Sequence, residues 1–272
     1  MSDPFLITGP ALISFSGGRT SAYMLWRILQ AHGGELPDDV IVAFANTGKE
    51  REETLRFVRQ CEVNWKVNVA WLEAEPGGFR TTDYGDASRA GEPFAALIAR
   101  KKYTPNAIAR FCTQELKVKP MHAFAAEIFG GRPYTEAIGL RADEPWRVAK
   151  MIGRNSEDGR QCVAPLAKAG VRKADVLAFW ASQDFDLALP RAGAGNCDLC
   201  FLKSRRTLER LIAQDPSRAD WWIAQEALTG GRFVTEYSYA DLKRSAAAQP
   251  DFFDADEYDA ECGLLCVPEP QP

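Results

Sequence analysis

Ala11-Leu12-Ile13-Ser14-Phe15-Ser16-Gly17-Gly18-Arg19-Thr20-Ser21 is the stretch that decides the fold. Its first part, to Phe15, is a short apolar run of the length of a buried strand. Two glycines follow, and from Ser21 to Ala31 the residues Met24, Leu25, Ile28 and Leu29 recur at helical spacing. Downstream the alternation repeats. Val40 to Ala45 reads as a second strand, a charged helix runs from about Glu50 to Gln60, and Val67 to Leu72 alternates well enough for a third strand. Repeated strand–helix–strand units imply an α/β fold, a doubly wound parallel sheet with helices on both faces.

Residues 75–92 are rich in Gly, Asp and Thr, have no period, and read as a surface loop able to close over a ligand. A helix is expected from about Leu116 to Phe129, with Pro120 tolerated in its early turns. Tyr134 to Leu140 reads as another strand and Val171 to Ser182 as another helix. After Cys200 the character changes to helices carrying Trp221 and Trp222, then to an Asp-rich tail ending in Pro-Glu-Pro-Gln-Pro, whose tip reads as disordered. Residues 1–204 are thus expected to form an α/β domain, and residues 205–272 a helical C-terminal region with a Cys-containing tail.

The turn at Gly17-Gly18 has a chemical reading. Adjacent glycines let the backbone approach a phosphate, the N–H groups at the helix start point at the anion, and the helix dipole favours its charge. Ser14, Ser16, Thr20 and Ser21 add hydroxyls, and Arg19 a cation. The Gly-Lys-Ser/Thr ending of a Walker A loop is missing. A turn that merely joins strand to helix is the plain alternative, and the serines on both sides weigh against it.

Of the seven cysteines, Cys197 and Cys200 form a C-x-x-C pair, a spacing suited to two thiolates on one metal or cluster. A dithiol, a zinc site or two inert core thiols are the plain alternatives, and on spacing alone zinc stands level with an iron–sulfur cluster. Cys61 and Cys162 have no partner spacing and read as small buried hydrophobes. His32 and His122 are too few for a histidine metal site. Two runs are basic, Arg100-Lys101-Lys102 through Lys119, and Lys203-Ser204-Arg205-Arg206. They read as solvated faces or as a cationic rim for phosphates.

The bulk numbers limit the classes. The 272 residues are 46% hydrophobic and 26% charged, as in soluble globular proteins, and the net charge of -4 argues against an all-over nucleic-acid coat. No apolar run approaches the roughly 18 residues of a membrane span, and Met1 to Pro10 lacks the pattern of a signal peptide. A cytoplasmic protein without a membrane partner is expected, and in that reducing compartment the cysteines would be free, metal-bound or redox-active.

Ser16-Gly17-Gly18-Arg19-Thr20-Ser21 resembles the PP-loop of the adenine nucleotide α-hydrolase superfamily. Four further segments, in order, narrow the resemblance to the phosphoadenosine phosphosulfate (PAPS) reductase family. Asn46-Thr47-Gly48 followed by Glu53-Thr54 is similar to its Asp-Thr-Gly…Glu-Thr. Arg110-Phe111-Cys112-Thr113 with Lys117 and Pro120 is similar to its Arg-x-Cys-Cys…Lys…Pro. Gly139-Leu140-Arg141-Ala142-Asp143-Glu144 with Arg147 is similar to its Gly-x-Arg-x-Asp-Glu…Arg, and Pro165-Leu166 with Trp180 to its Asn-Pro-Leu…Trp. The match spans residues 11 to about 204.

The resemblance implies an adenine nucleotide (adenylyl sulfate, its 3′-phosphorylated form, or ATP) held at Ser14, Ser16–Ser21, Asn46–Gly48, Gly139 and Arg147. Arg141 and Lys117 would serve the anionic end. It also implies a [4Fe–4S] cluster on Cys112, Cys197 and Cys200. Thr113 replaces the second Cys of the family's pair, so the fourth iron would either stay open, which suits sulfide transfer, or take a ligand from the tail, where Cys262 and Cys266 stand. Glu261-Cys262-Gly263-Leu264 resembles the family's C-terminal motif, although Leu265 replaces its His, so Cys262 reads either as nucleophile or as ligand, and Cys266 as ligand. The implied reaction reduces the sulfonyl group to sulfite with a thioredoxin-like reductant. The rival is ATP- and Mg²⁺-dependent sulfur insertion into tRNA or a small acceptor. A third reading is a nucleotide or redox sensor without turnover. A homodimer fits the sequence as well as a monomer.

Overall fold

The structure is a computed structural model that describes residues 3–152, 160–189, 195 and 197–248. Six strands make one sheet in the order β4-β3-β2-β1-β5-β6. They are β1 Ala11–Ser14, β2 Val40–Asn46, β3 Val69–Glu75, β4 Gly78–Thr82, β5 Tyr134–Ile138 and β6 Arg160–Val163. All neighbouring pairs are parallel except β3 with β4.

The strands alternate between two buried faces, as period 2 requires. Ile13, Val42, Phe44 and Trp71 point toward α1 (Arg19–Ala31), α2 (Glu52–Trp65) and α8 (Lys173–Ala181), where they meet Leu25, Ile28, Phe57, Val58 and Trp180. Leu12, Ala43, Ala45 and Leu72 point the other way, toward Met121, Ala125 and Phe129 of α5 (Lys119–Phe129). The chain is therefore an α/β protein with helices on both faces of a mostly parallel sheet.

A second core lies beside the sheet. Phe94, Leu97 and Ile98 of α3 (Glu92–Lys101) pack with Leu116, Leu199 and Phe201, and with α9 (Arg205–Gln214), α10 (Arg218–Thr229) and α11 (Tyr239–Ala248) around Trp222. The boundary expected at residue 204 runs through this core, because the C-terminal helices bury their apolar faces on α3 and on the C-x-x-C segment. Three short helices complete the described elements: α4 Phe111–Thr113, α6 Pro145–Ile152 and α7 Pro165–Lys168.

Two expectations are corrected. Residues 75–92 are not one loop, since Pro76-Gly77 turns the chain into β4, which pairs antiparallel with β3 from Trp71↔Thr82 to Glu75↔Gly78. As an edge strand with both faces largely exposed, β4 carries no apolar alternation to read. The helix expected from Leu116 starts earlier, at α4, and passes through a π-helical turn at Gln114–Val118 before α5. Among the described residues no helix is long and apolar enough to cross a membrane.

Phe44 is fully buried and meets Trp71 edge-on, with ring centroids 5.0 Å apart. Phe44→Ala should lower stability by about 3–5 kcal/mol, read as a shift in urea-denaturation midpoint without a change in slope.

Candidate functional site

Parallel strands end at one edge of a sheet, and here the chain leaves β1 in two directions. It winds outward through β2 and β3, then returns to place β5 on the other flank of β1. The loops after β1 and β5 thus diverge, and the crevice between them is where open α/β sheets take ligands.

The loop after β1 is held by its own hydroxyls. Ser21 Oγ donates to the Gly18 carbonyl at 3.0 Å, accepts from Ser16 N–H at 3.1 Å and meets Ser16 Oγ at 2.8 Å. Gly17 has a φ of 75°, and a Cβ there would stand 2.8 Å from Thr54 Cγ2. Gly139 has an equally tight place, since a Cβ on it would lie 3.0 Å from Ser21 Cα. A side chain at Gly139 would require the first turn of α1 to give by a few tenths of an ångström.

Other side chains brace the loop. Arg19 makes a two-pronged bond to Asp186, with both contacts at 2.7 Å. Trp180 donates its indole N–H to the Arg19 carbonyl at 3.0 Å. Ser14, expected at the nucleotide, donates its hydroxyl to Glu136 instead, at 2.7 Å. Glu136 is buried in β5 and also takes Arg160 Nη1 at 2.7 Å, with His122 Nε2 3.5 Å away. Burial opposes its ionisation, but His122, Ser14 and Arg160 outweigh that and hold the carboxyl below its ordinary range.

From the loop, contacts run to the cysteines. Arg141 donates to Thr20 Oγ1 at 3.1 Å and lies 3.7 Å from Glu144, which also pairs with Arg147. Arg147 Nε is buried without a hydrogen bond, and so is Arg110 Nε. Among the described residues Arg110 makes no hydrogen bond or ion pair. Its neighbours in charge are Cys112, Cys200 and Arg147, and burial followed by Arg147 holds its pKa below the usual arginine value.

The structure brings Cys112, Cys197 and Cys200 into one neighbourhood. Cys200 sits close enough for its charge to act on both of the others. Burial, then Cys200, pushes the Cys112 thiol up to about 11, and burial with Glu50 raises Cys197. Lys203 is buried beside the C-x-x-C, donates to the Gly195 carbonyl, and has its pKa lowered by burial. Lys117, expected at the substrate, is paired with Glu50 at 3.3 Å. Burial works against its charge, but Glu50 and the thiolate forms of Cys197 and Cys200 raise its pKa overall.

Glu50 is the joint of this region. Its other oxygen accepts Thr47 N–H and Thr47 Oγ1, both at 2.8 Å, and Glu50 forms a backbone bridge with Cys197. Thr47 Oγ1 is 3.5 Å from Cys197 Sγ. Asn46 spends its amide on Glu73 and the Ser88 carbonyl and accepts from Gly48 N–H. Asn46, Thr47 and Gly48 therefore frame the cysteine side, and the side chain of Asn46 is fully engaged in doing so.

Three thiols ringed by Lys117, Lys203 and Arg110 have the donor chemistry and compensating charge that a thiolate-held cluster needs. Among the described residues no three His, Cys, Asp or Glu side chains converge as they would around one metal ion. Cys262 and Cys266 lie outside the described residues. Glu50 and Glu136 were not singled out from sequence, and Arg110 and Lys203 entered only as part of a motif and of a basic run. The available signals were a cation two positions before Cys112 and an acid inside an apolar strand.

Gly17→Ala should cost about 1–3 kcal/mol in urea denaturation, whereas Gly18→Ala, with only Ser16 Oγ at 3.7 Å and a φ of -99°, should be far milder. Glu136 ionises more easily folded than unfolded, so its contribution is present above the unfolded pKa and lost as pH falls through the folded one. Glu136→Gln should flatten the acid-side loss of stability between roughly pH 5 and pH 3.

No protein-family model matches the chain. The uncharacterized protein MJ0066 of Methanocaldococcus jannaschii is 28% identical over 152 residues, which is 55% of this chain and 27% of the archaeal protein's length. The uncharacterized nin region protein ORF290 of Escherichia phage lambda is 35% identical over 208 residues, covering 72% of this chain and 67% of the phage protein. At that identity and coverage, this chain belongs to the same family as the phage lambda nin region protein ORF290.

Proposed function

We propose that this protein is an adenine-nucleotide-binding enzyme of the PAPS reductase type, within the PP-loop α-hydrolases, that reduces adenylyl sulfate or its 3′-phosphorylated form to sulfite. The observation that supports the reading is Arg110, a half-buried guanidinium without a partner among the described residues, with Arg147 and the thiols of Cys112 and Cys200 as its neighbours in charge. A cation so placed is an invitation to an anion beside sulfur chemistry.

In this reading the nucleotide phosphates sit on the N–H groups of Ser16–Ser21, at the positive end of α1. Arg141, resting on Thr20, meets the phosphate, and Arg147 and Arg110 take the sulfonate. A cysteine thiolate, assigned to Cys262, attacks the sulfur. The S–O bond breaks, the adenosine phosphate leaves with its electron pair, and the sulfonate is now on the cysteine. One thiolate of a dithiol such as reduced thioredoxin then attacks the cysteine sulfur, and sulfite departs with the bonding pair. The second thiol resolves the mixed disulfide, so two thiols are oxidised as one sulfur is reduced by two electrons. Cys112, Cys197 and Cys200, with Cys266, would hold an iron–sulfur cluster whose charge shapes the field at the sulfonate.

The glycine-rich loop favours a second reading. Ser16-Gly17-Gly18 carries no acidic side chain, so it also suits the triphosphate of ATP with Mg²⁺, in a sulfur-inserting enzyme acting on tRNA or a small acceptor.

Anaerobic assays with both sulfated nucleotides and reduced thioredoxin separate the two. Wild type should release sulfite, Cys262→Ser should lose about a thousandfold or more with iron retained, and Arg110→Ala should lower kcat/KM about a hundredfold. No sulfite from an iron-loaded wild type, together with ATP-dependent pyrophosphate release, would overturn the reductase reading in favour of the second.

A further inference from the structure

The basic run from Arg100 to Lys119 is only partly used by the site above. Lys117 faces Glu50. Arg100, Lys101 and Lys119 do something else: all three converge on a single carboxylate, Glu115, at 3.5, 3.1 and 3.0 Å. They stand at a cavity of about 530 Å³ between the β3–β4 turn, α3 and the π-turn leading into α5.

Between the charged side chains the wall presents Ala74 and Ala96, with Leu97 and Leu116 almost wholly buried behind them. Glu75, on the opposite rim, is 3.7 Å from Arg80, whose nearer partner is the buried carboxylate of Glu73. Arg100, Lys101 and Lys119 against Glu115 and Glu75 leave one positive charge in excess at the cavity, in a chain whose net charge is -4. The three cationic side chains remain 48%, 33% and 57% exposed, so that charge is available to solvent. Small-molecule sites have this composition, a mostly apolar hollow of roughly 300–1,000 Å³ with a few placed polar groups.

We infer that this cavity is a second ligand site, for a small organic anion with an apolar body and a phosphate, sulfonate or carboxylate headgroup. The body lies against Ala74 and Ala96, over the buried side chains of Leu97 and Leu116, and the headgroup takes the charge that Glu115 and Glu75 leave uncompensated. No aromatic ring lines the cavity, so it offers no stacking platform for nucleic-acid bases. The wall it shares with the cysteine site is a π-turn, a feature frequent at functional sites. On that turn Glu115 and Leu116 face the cavity while Lys117 pairs with Glu50. The site is separate from the phosphate loop and requires nothing of the reaction proposed there.

The test is a titration of the full chain with 8-anilinonaphthalene-1-sulfonate, whose fluorescence reports an apolar body bound beside a sulfonate. Inorganic pyrophosphate serves as the headgroup alone. Wild type should show one saturable site from which pyrophosphate displaces the probe. Lys101→Glu/Lys119→Glu removes the charge and Ala96→Trp fills the hollow. Each should weaken the probe about tenfold or more while melting within a few degrees of wild type, and if one variant misfolds the other decides. Equal probe affinity in wild type and the folded variants would overturn the inference. So would displacement by a single-stranded oligonucleotide but not by pyrophosphate, which would make the surface a nucleic-acid track.

Discussion

Gly139 and the first turn of α1 touch backbone to backbone, and the geometry of the candidate site depends on that contact. A Cβ on Gly139 would meet Ser21 Cα at 3.0 Å, so any other residue would press the start of α1 and the end of β5 apart by a few tenths of an ångström. The contact sits where the sheet changes its direction of winding, between β1 and β5. Because the two strands stay together there, the loop of Ser16–Ser21 and the segment Arg141–Arg147 open onto one crevice, and Arg141 can rest on Thr20. Beneath them Glu136 reaches from β5 to Ser14 and ties the same two strands by a buried charged network.

Away from this point the structure is held by buried ion pairs that join the sheet to the second core. Glu50 links the loop after β2 to Lys117 and to the backbone of Cys197. Lys49 meets Asp198 at 3.2 Å, and Asp198 also accepts the indole N–H of Trp222 at 3.1 Å. Removing one partner of such a pair strands a charge in low dielectric, at a cost of about 3–5 kcal/mol. The pairs therefore act less as a source of net stability than as a demand for one arrangement. That arrangement sets the C-x-x-C segment against the end of β2 and brings Cys197 and Cys200 to Cys112. The cations around the thiols come from two separate segments, Arg110 and Lys117 from the run α4 to α5 and Lys203 from beside the C-x-x-C, which meet only in the folded chain.

The alternation of apolar strands with amphipathic helices from Ala11 onward was enough to establish an α/β sheet, because a 2-residue and a 3.6-residue period are written in consecutive residues. The Gly17-Gly18 turn was legible for the same reason, since strand, turn and helix are local. The edge strand β4 and the π-turn were not, the first because both its faces are exposed and the second because a register change within a helix leaves the apolar spacing nearly intact.

Residue identity by itself determined which side chains could bind anions or metals: the hydroxyls of the loop, the arginines after β5, the thiols. Tertiary structure alone decided how they are used. Ser14 was withdrawn from the crevice by Glu136, 122 positions away, Lys117 was paired with Glu50, and Arg110 was left with no partner among the described residues. The physical reason is that a charge buried in a low dielectric takes its role from whatever neighbours it, and those neighbours are set by strand order and by the docking of the C-terminal helices, not by distance along the chain.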